Sequence, residues 1–238
     1  MPKQSAHKMV ISFLFAVSLF LSGCTTLQLS SALASEPGLP VLPGPPVYSA
    51  PATEDSVVDA DTGQPLEGVI VVAYWELKGL HAYPVGLMMV QEGVTGAEGR
   101  YSLPAWGPKP RWPVTGELDS TEPQMVPFKS GYRTLWQLFN PPKPIKLRKV
   151  DPTSNEYATE VSFVDGQLEF AFVHHDCSWK QIPRMLIAID QEVKLLREKG
   201  LTNRLLYNFN SLEDREGHNK PSLAKCGSVQ EFFRSYAP

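Results

Sequence analysis

The chain has no surplus of positive charge, no apolar run of membrane-spanning length and none of the common catalytic signatures. Lys and Arg together number 22 against 25 Asp and Glu. That balance argues against nucleic acid as a partner, because gripping a phosphate backbone needs a concentrated basic surface. The apolar stretch from Met9 to Leu21 is broken by Ser12 and Ser18 and falls short of the roughly 20 residues a spanning helix needs. No His is followed by Glu at the spacing of a His-x-x-Glu zinc pair, as His81, His174, His175 and His218 each show. His-Glu-x-x-His, Gly-x-Ser-x-Gly, Cys-x-x-Cys and Gly-x-Gly-x-x-Gly are also missing. No residue is therefore assigned a catalytic role, and no cofactor is expected beyond a covalent lipid.

What is present begins with targeting. Lys3 and Lys8, the short apolar stretch and the small residues behind it have the layout of a secretory signal peptide over residues 1–23. Its exit, Leu21-Ser22-Gly23-Cys24, resembles the bacterial lipobox. The resemblance implies cleavage before Cys24, diacylglycerol on its thiol and a fatty acid such as palmitate on its new amino group. The competing reading is an ordinary cleavage site abutting a cysteine. Thr25 stands where an Asp would retain a lipoprotein at the inner membrane, so the expected location is the outer membrane, facing the periplasm. Several acyl chains anchor firmly, at about 0.8 kcal/mol per buried methylene. Loss of the two lysines leaves 20 basic against 25 acidic residues, or −5.

Residues 24–55 hold Cys24 and a segment rich in Ser and Pro, including Pro37, Pro40, Pro43, Pro45, Pro46 and Pro51. Such a composition buries little and predicts a tether between lipid and domain. Over 56–150, short β-branched runs alternate with Gly-containing turns, the pattern of a β-sandwich. Asp59-Ala60-Asp61-Thr62-Gly63 superficially suggests a calcium loop, but it lacks the further ligands and is explained as a turn. The succession VVDADTGQPLEGVIVVAYW, GVTGAEGRYSLP, FKSGYRTL and IKLRKV resembles the carboxypeptidase regulatory-like domain. The resemblance implies a transthyretin-like (prealbumin-type) sandwich of about seven strands. Insertion-like stretches at 76–90 and 104–113 depart from that pattern. The chain also ends Arg-Ser-Tyr-Ala-Pro, unlike the Tyr-Arg-Gly-Ser of transthyretin-like hydrolases.

Beyond Asp151 the pattern predicts a smaller α+β or helical region, 151–238. Asp165-Gly166 within Val161–Phe170 suits a type I′ hairpin, with a helix as the alternative. Ile182, Met185, Leu186, Ile189, Val193 and Leu196 predict one face of a helix from Pro183 to a stop at Gly200. Ser228 and Glu231 have capping-box spacing. With Cys24 lipidated, Cys177 and Cys226 are left to pair in an oxidising compartment. The weaker metal candidates are His174, His175 and His218, a soft-metal set only if both thiols stay free. The aromatic candidates are Trp106 and Trp112, bracketing Lys109 and Arg111 in a proline-stiffened loop that could grip a glycan or partner. Packing of both tryptophans over the end of the sandwich is the competing reading, and Trp75 and Tyr101 are expected in the core.

The expected role is a membrane-anchored, non-catalytic lipoprotein whose sandwich binds or supports an envelope protein or polysaccharide. The alternatives are a hydrolase using His174, His175 and Asp176, or a metal-binding lipoprotein.

Overall fold

The computed structural model describes residues 46–111, 116–118, 120–134, 143–173, 176–201 and 210–236. All of them fall within one compact unit, Gly44–Pro238. Cys24, Trp112, His174 and His175 lie outside the described residues.

An N-terminal region rich in strands is followed by a C-terminal region rich in helices. The strands are β1 (Val47–Ala50), β2 (Thr53–Asp59), β3 (Ile70–Lys78), β4 (Pro84–Val94), β5 (Arg100–Leu103), β6 (Trp106–Pro110), β7 (Glu117–Leu118), β8 (Gln124–Phe128), β9 (Tyr132–Thr134) and β10 (Ile145–Lys149). One sheet has the order β5-β2-β10-β9, with β2 and β10 parallel and the other pairs antiparallel. In the other, β3 pairs with β4 along one edge, while β8 and the short β7 share its second edge. The insertion-like stretch after Trp75 is an extension of the β3–β4 hairpin, whose tip is a 3-10 turn at Leu80–Ala82.

The motif residues behind the family resemblance have structural roles. Thr95 is buried, accepts the Val69 amide at 2.8 Å and donates to the Leu66 carbonyl at 2.6 Å. Gly99 has φ +65°, and a Cβ there would sit 2.6 Å from the Val57 carbonyl oxygen. Only Gly fits that approach, which carries the chain from β4 to β5 in the other sheet. Asp59 Oδ1 accepts the amides of Asp61 and Thr62 and the Thr62 hydroxyl, so the acidic pair makes a turn. These bonds, the Thr62 amide foremost, hold the Asp59 carboxyl below its ordinary range.

Strand β3 is buried along most of its length, and its two faces feed different cores. Val71, Ala73, Trp75 and Leu77 pack with Val57, Tyr101, Leu103, Ile145 and Leu147 of the other sheet. Val72 and Tyr74 pack instead with the helices. This explains the run of apolar residues without alternation, because a strand covered on both faces has no solvent side. The helices therefore form a layer against the β3 sheet.

That layer comprises α1 (Asn155–Gln167), α2 (Phe170–Val173), α3 (Pro183–Glu198), α4 (Leu212–Asn219), α5 (Leu223–Cys226) and α6 (Val229–Arg234). The predicted helix from Pro183 is α3, with Met185, Leu186, Ile189, Val193 and Leu196 buried. The hairpin at Val161–Phe170 is replaced by helix. Ser154 caps α1 by accepting the Tyr157 amide, and Tyr157, Val161, Val164 and Leu168 recur at helical spacing on the buried face. Asp165 points inward to a buried Arg215, so Asp-Gly makes no turn there. Part of the segment expected to be a tether is instead strand. Residues 47–50 and 53–55 are in strands, because proline-flanked β1 pairs with the equally proline-rich β6 to form a two-stranded ribbon. Proline lacks a donor but is tolerated on such an edge.

Candidate functional site

Of the aromatic and basic candidates, Trp106 and Lys109 lie on that ribbon and Arg111 follows it directly, while Trp112 is outside the described residues. Trp106 opens β6 and is only 6% exposed. Its ring meets Trp75 edge-on, with centroids 5.3 Å apart. Lys109 Nζ donates to the Met88 carbonyl at 3.0 Å, and Arg111 Nη1 donates to the Leu87 carbonyl at 3.1 Å. Both cations thus bond carbonyls of β4, clasping the ribbon to that strand and blunting it as a template for further pairing. Trp106 is core, not a platform for a sugar ring. Trp75 and Tyr101 are buried as expected.

Cys177 and Cys226 are bonded to each other, with Cα atoms 5.3 Å apart. Cys177 opens the 3-10 turn Ser178–Gln181 that leads into α3, and Cys226 closes α5 just before α6. Around the link Trp179 is buried, 5.2 Å from the Phe232 ring and 6.1 Å from Phe233, while Lys180 lies 5.3 Å over the Trp179 face. No sequence motif announced this aromatic cluster, since its members come from both ends of the helical region.

Of the residues proposed for C-terminal chemistry, His174 and His175 lie outside the described residues, which leaves Asp176 and His218. His218 is exposed on α4. Asp176 Oδ1 accepts both the amide and the hydroxyl of Ser178, a local bond at the entrance to the 3-10 turn. Among the described residues no three His, Cys, Asp or Glu side chains gather as a metal set. No helix among them is long and apolar enough to cross a membrane.

The opening that sequence reasoning missed is a cleft of ≈ 430 Å³ at the β2–β5 side of the first sheet. Its walls include Glu54 and Asp55 of β2, Glu122 of the turn before β8 and Lys143 ahead of β10, around a floor of Tyr101, Met125 and Ile145. A second groove of ≈ 610 Å³ shares Glu54, Asp55 and Tyr101 with it and adds Arg100 and Ser102. Asp55 and Tyr101 are directly opposed in the β2–β5 register. Burial pushes the Tyr101 phenol up, and the Asp55 charge adds to that, so the hydroxyl stays protonated. Carboxylates, an ammonium and a neutral phenol therefore line this cleft together with apolar side chains. The lining comes from four separated segments, which no local motif could have brought together. No protein-family model matches this sequence, no curated protein matches it, and no solved structure matches its fold.

Proposed function

We propose that the protein is a lipid-anchored envelope lipoprotein, held through Cys24 at the outer membrane and facing the periplasm, whose strand region is a non-catalytic binding or structural module. The observation that carries this reading is the Cys177–Cys226 bond. The chain has 3 cysteines, and this bond takes two, leaving Cys24 outside the pair at the end of a lipobox-like sequence. A disulfide is the state expected of thiols in an oxidising compartment beyond the cytoplasm.

In this reading the strand region is a transthyretin-like sandwich of the carboxypeptidase regulatory-like type. Support comes from β2, β3, β4, β5, β8, β9 and β10, which make seven strands once the β1–β6 ribbon and the two-residue β7 are set aside. The shared core between the two sheets also supports it. The cleft beside Glu54, Asp55 and Lys143 is the surface offered to a protein or polymer of the envelope. Replacing Cys24 by Ser and fractionating cells tests the anchor. The variant should leave the membrane pellet, and a variant that stays with the membrane would overturn this reading.

A further inference from the structure

The β3–β4 hairpin ends in an apolar tip that the rest of the fold leaves uncovered. Leu80 is 84% exposed and Tyr83 70% exposed, and the neighbouring His81, Ala82 and Pro84 are exposed as well. His81 and Ala82 both have φ near +60°, a left-handed conformation that costs non-glycine residues energy. That turn displays Leu80 and Tyr83 outward. From Lys78 to Pro84 the sequence carries Lys78 and His81 but no carboxylate.

The position of the tip relative to the chain's N-terminal side says what covers it. The Pro46 carbonyl accepts the Arg111 amide, and the Arg111 guanidinium holds the Leu87 carbonyl on the strand that leaves the tip. Two residues on, the Tyr48 hydroxyl donates to the Gly116 carbonyl, next to β7. β7 pairs with Leu77 and Lys78, the last residues before the tip. The described chain therefore begins at the same end of the β3–β4 hairpin as the apolar tip. The turn at Gly96–Gly99 lies at the other end, about 30 Å away for a nine-residue strand.

We propose that Leu80 and Tyr83 enter the interfacial layer of the bilayer to which Cys24 is anchored, giving the protein a second, reversible contact with lipid. This rests on the lipid-anchor reading above. A small apolar insert is too weak to hold a protein to a membrane alone, but a covalent anchor converts its contact into an intramolecular one. Tyr suits the headgroup level and Leu the acyl boundary, and the nearest carboxylate, Glu117, is paired in register with Lys78 at the base of the tip rather than on it. The 22 residues between Cys24 and Val47 reach at most about 75 Å, so the tip can touch the same membrane. Contact there would orient the β2–β5 cleft with respect to the bilayer.

The test uses the full acylated protein extracted from membranes, carrying either Leu80→Cys or Glu98→Cys labelled with an environment-sensitive fluorophore under non-reducing conditions. Each is reconstituted into phosphatidylethanolamine–phosphatidylglycerol vesicles containing a nitroxide-labelled lipid. The Leu80 probe should be quenched at least about two-fold more than the Glu98 probe. Equal quenching of the two probes, with the protein still floating with the vesicles, overturns the second contact and leaves the anchor intact. Failure to float overturns the anchor and the proposal with it. A Leu80 probe that becomes shielded without lipid as detergent-dispersed protein is concentrated assigns the tip to a second copy of the chain and also overturns the proposal.

Discussion

In the described residues of 46–150 the backbone is satisfied along strand ladders, with Asp59 closing its own turn and Thr95 tying its turn back to Leu66 and Val69. In residues 151–236 much of the structure is instead held by polar side chains reaching between elements. α3 begins at Pro183 with no capping side chain of its own, and Glu92 of β4 accepts its Met185 and Arg184 amides at 2.7 and 3.2 Å. Asp190 of α3 accepts the first amide of α4, where Ser211 and Asp214 form a capping box. Glu216 of α4 accepts the first amide of α6. Asp165 of α1 is buried against Arg215 of α4, and Asn210 donates to it as well. The Arg215 guanidinium also lies 4.8 Å over the Phe172 ring. Short helices cannot satisfy their own ends, and these borrow from one another. A strand layer held by backbone ladders thus supports a helical layer held by side chains that reach between its elements.

The largest expected effect that sharpens this contrast is at Arg215. Arg215→Ala leaves the Asp165 carboxylate buried without its ion pair, which costs about 3–5 kcal/mol in comparable sites. Hydrogen exchange should rise first in α1 and α4, with β3 and β10 the last to lose protection. Simultaneous loss in both layers would mean that the helical layer has no stability of its own to lose.

Opening the disulfide should cost somewhat less, about 2–4 kcal/mol, because the 49-residue separation gives the unfolded chain a long loop to regain. The urea midpoint of the Cys177→Ser, Cys226→Ser double variant reports it. An unchanged midpoint would show that the aromatic cluster around Trp179 holds α3 and α6 together unaided.

A smaller loss, about 1 kcal/mol, is expected for Ser211→Ala, which removes the cap of α4. Thermal unfolding should register a drop of a few degrees, and none at all would shift the credit for this helix end to Asp190.

The subtlest expectation concerns pH. Burial pushes the Glu92 carboxyl above its ordinary value of 4.5, against the opposing pull of the Met185 and Arg184 amides. The folded protein therefore holds that proton more tightly than the unfolded chain does. The associated stability is complete below pH 4.5 and is lost as pH rises towards the raised value. Glu92→Gln lacks this titration, so its cost relative to the parent should be greater at pH 4 than at pH 7 by urea unfolding. The opposite order would mean that the amides outweigh burial at this site.

Distance along the chain, in both regions, explains how much was legible in the sequence. α3, the Asp59 turn, β10 and the burial of Trp75 and Tyr101 follow from periodicity and turn chemistry within a dozen residues. Asp165-Gly166 misled because the residue that draws Asp165 inward, Arg215, lies 50 positions away. β1 was hidden between Pro46 and Pro51, since only its partner β6 makes those residues a strand. Trp106, Lys109 and Arg111 suggested a binding loop because their targets, Trp75 and the carbonyls of β4, are distant in sequence. The β2–β5 cleft was invisible for the same reason.

The most direct test of the anchored, stapled protein is the intact mass of the native molecule extracted from membranes, before and after reduction and alkylation. A chain starting at Cys24, heavier by diacylglycerol and an amide-linked fatty acid, with two thiols alkylated only after reduction, is the expected result. An unacylated chain whose Cys177 and Cys226 react without reduction would contradict both the location and the anchor.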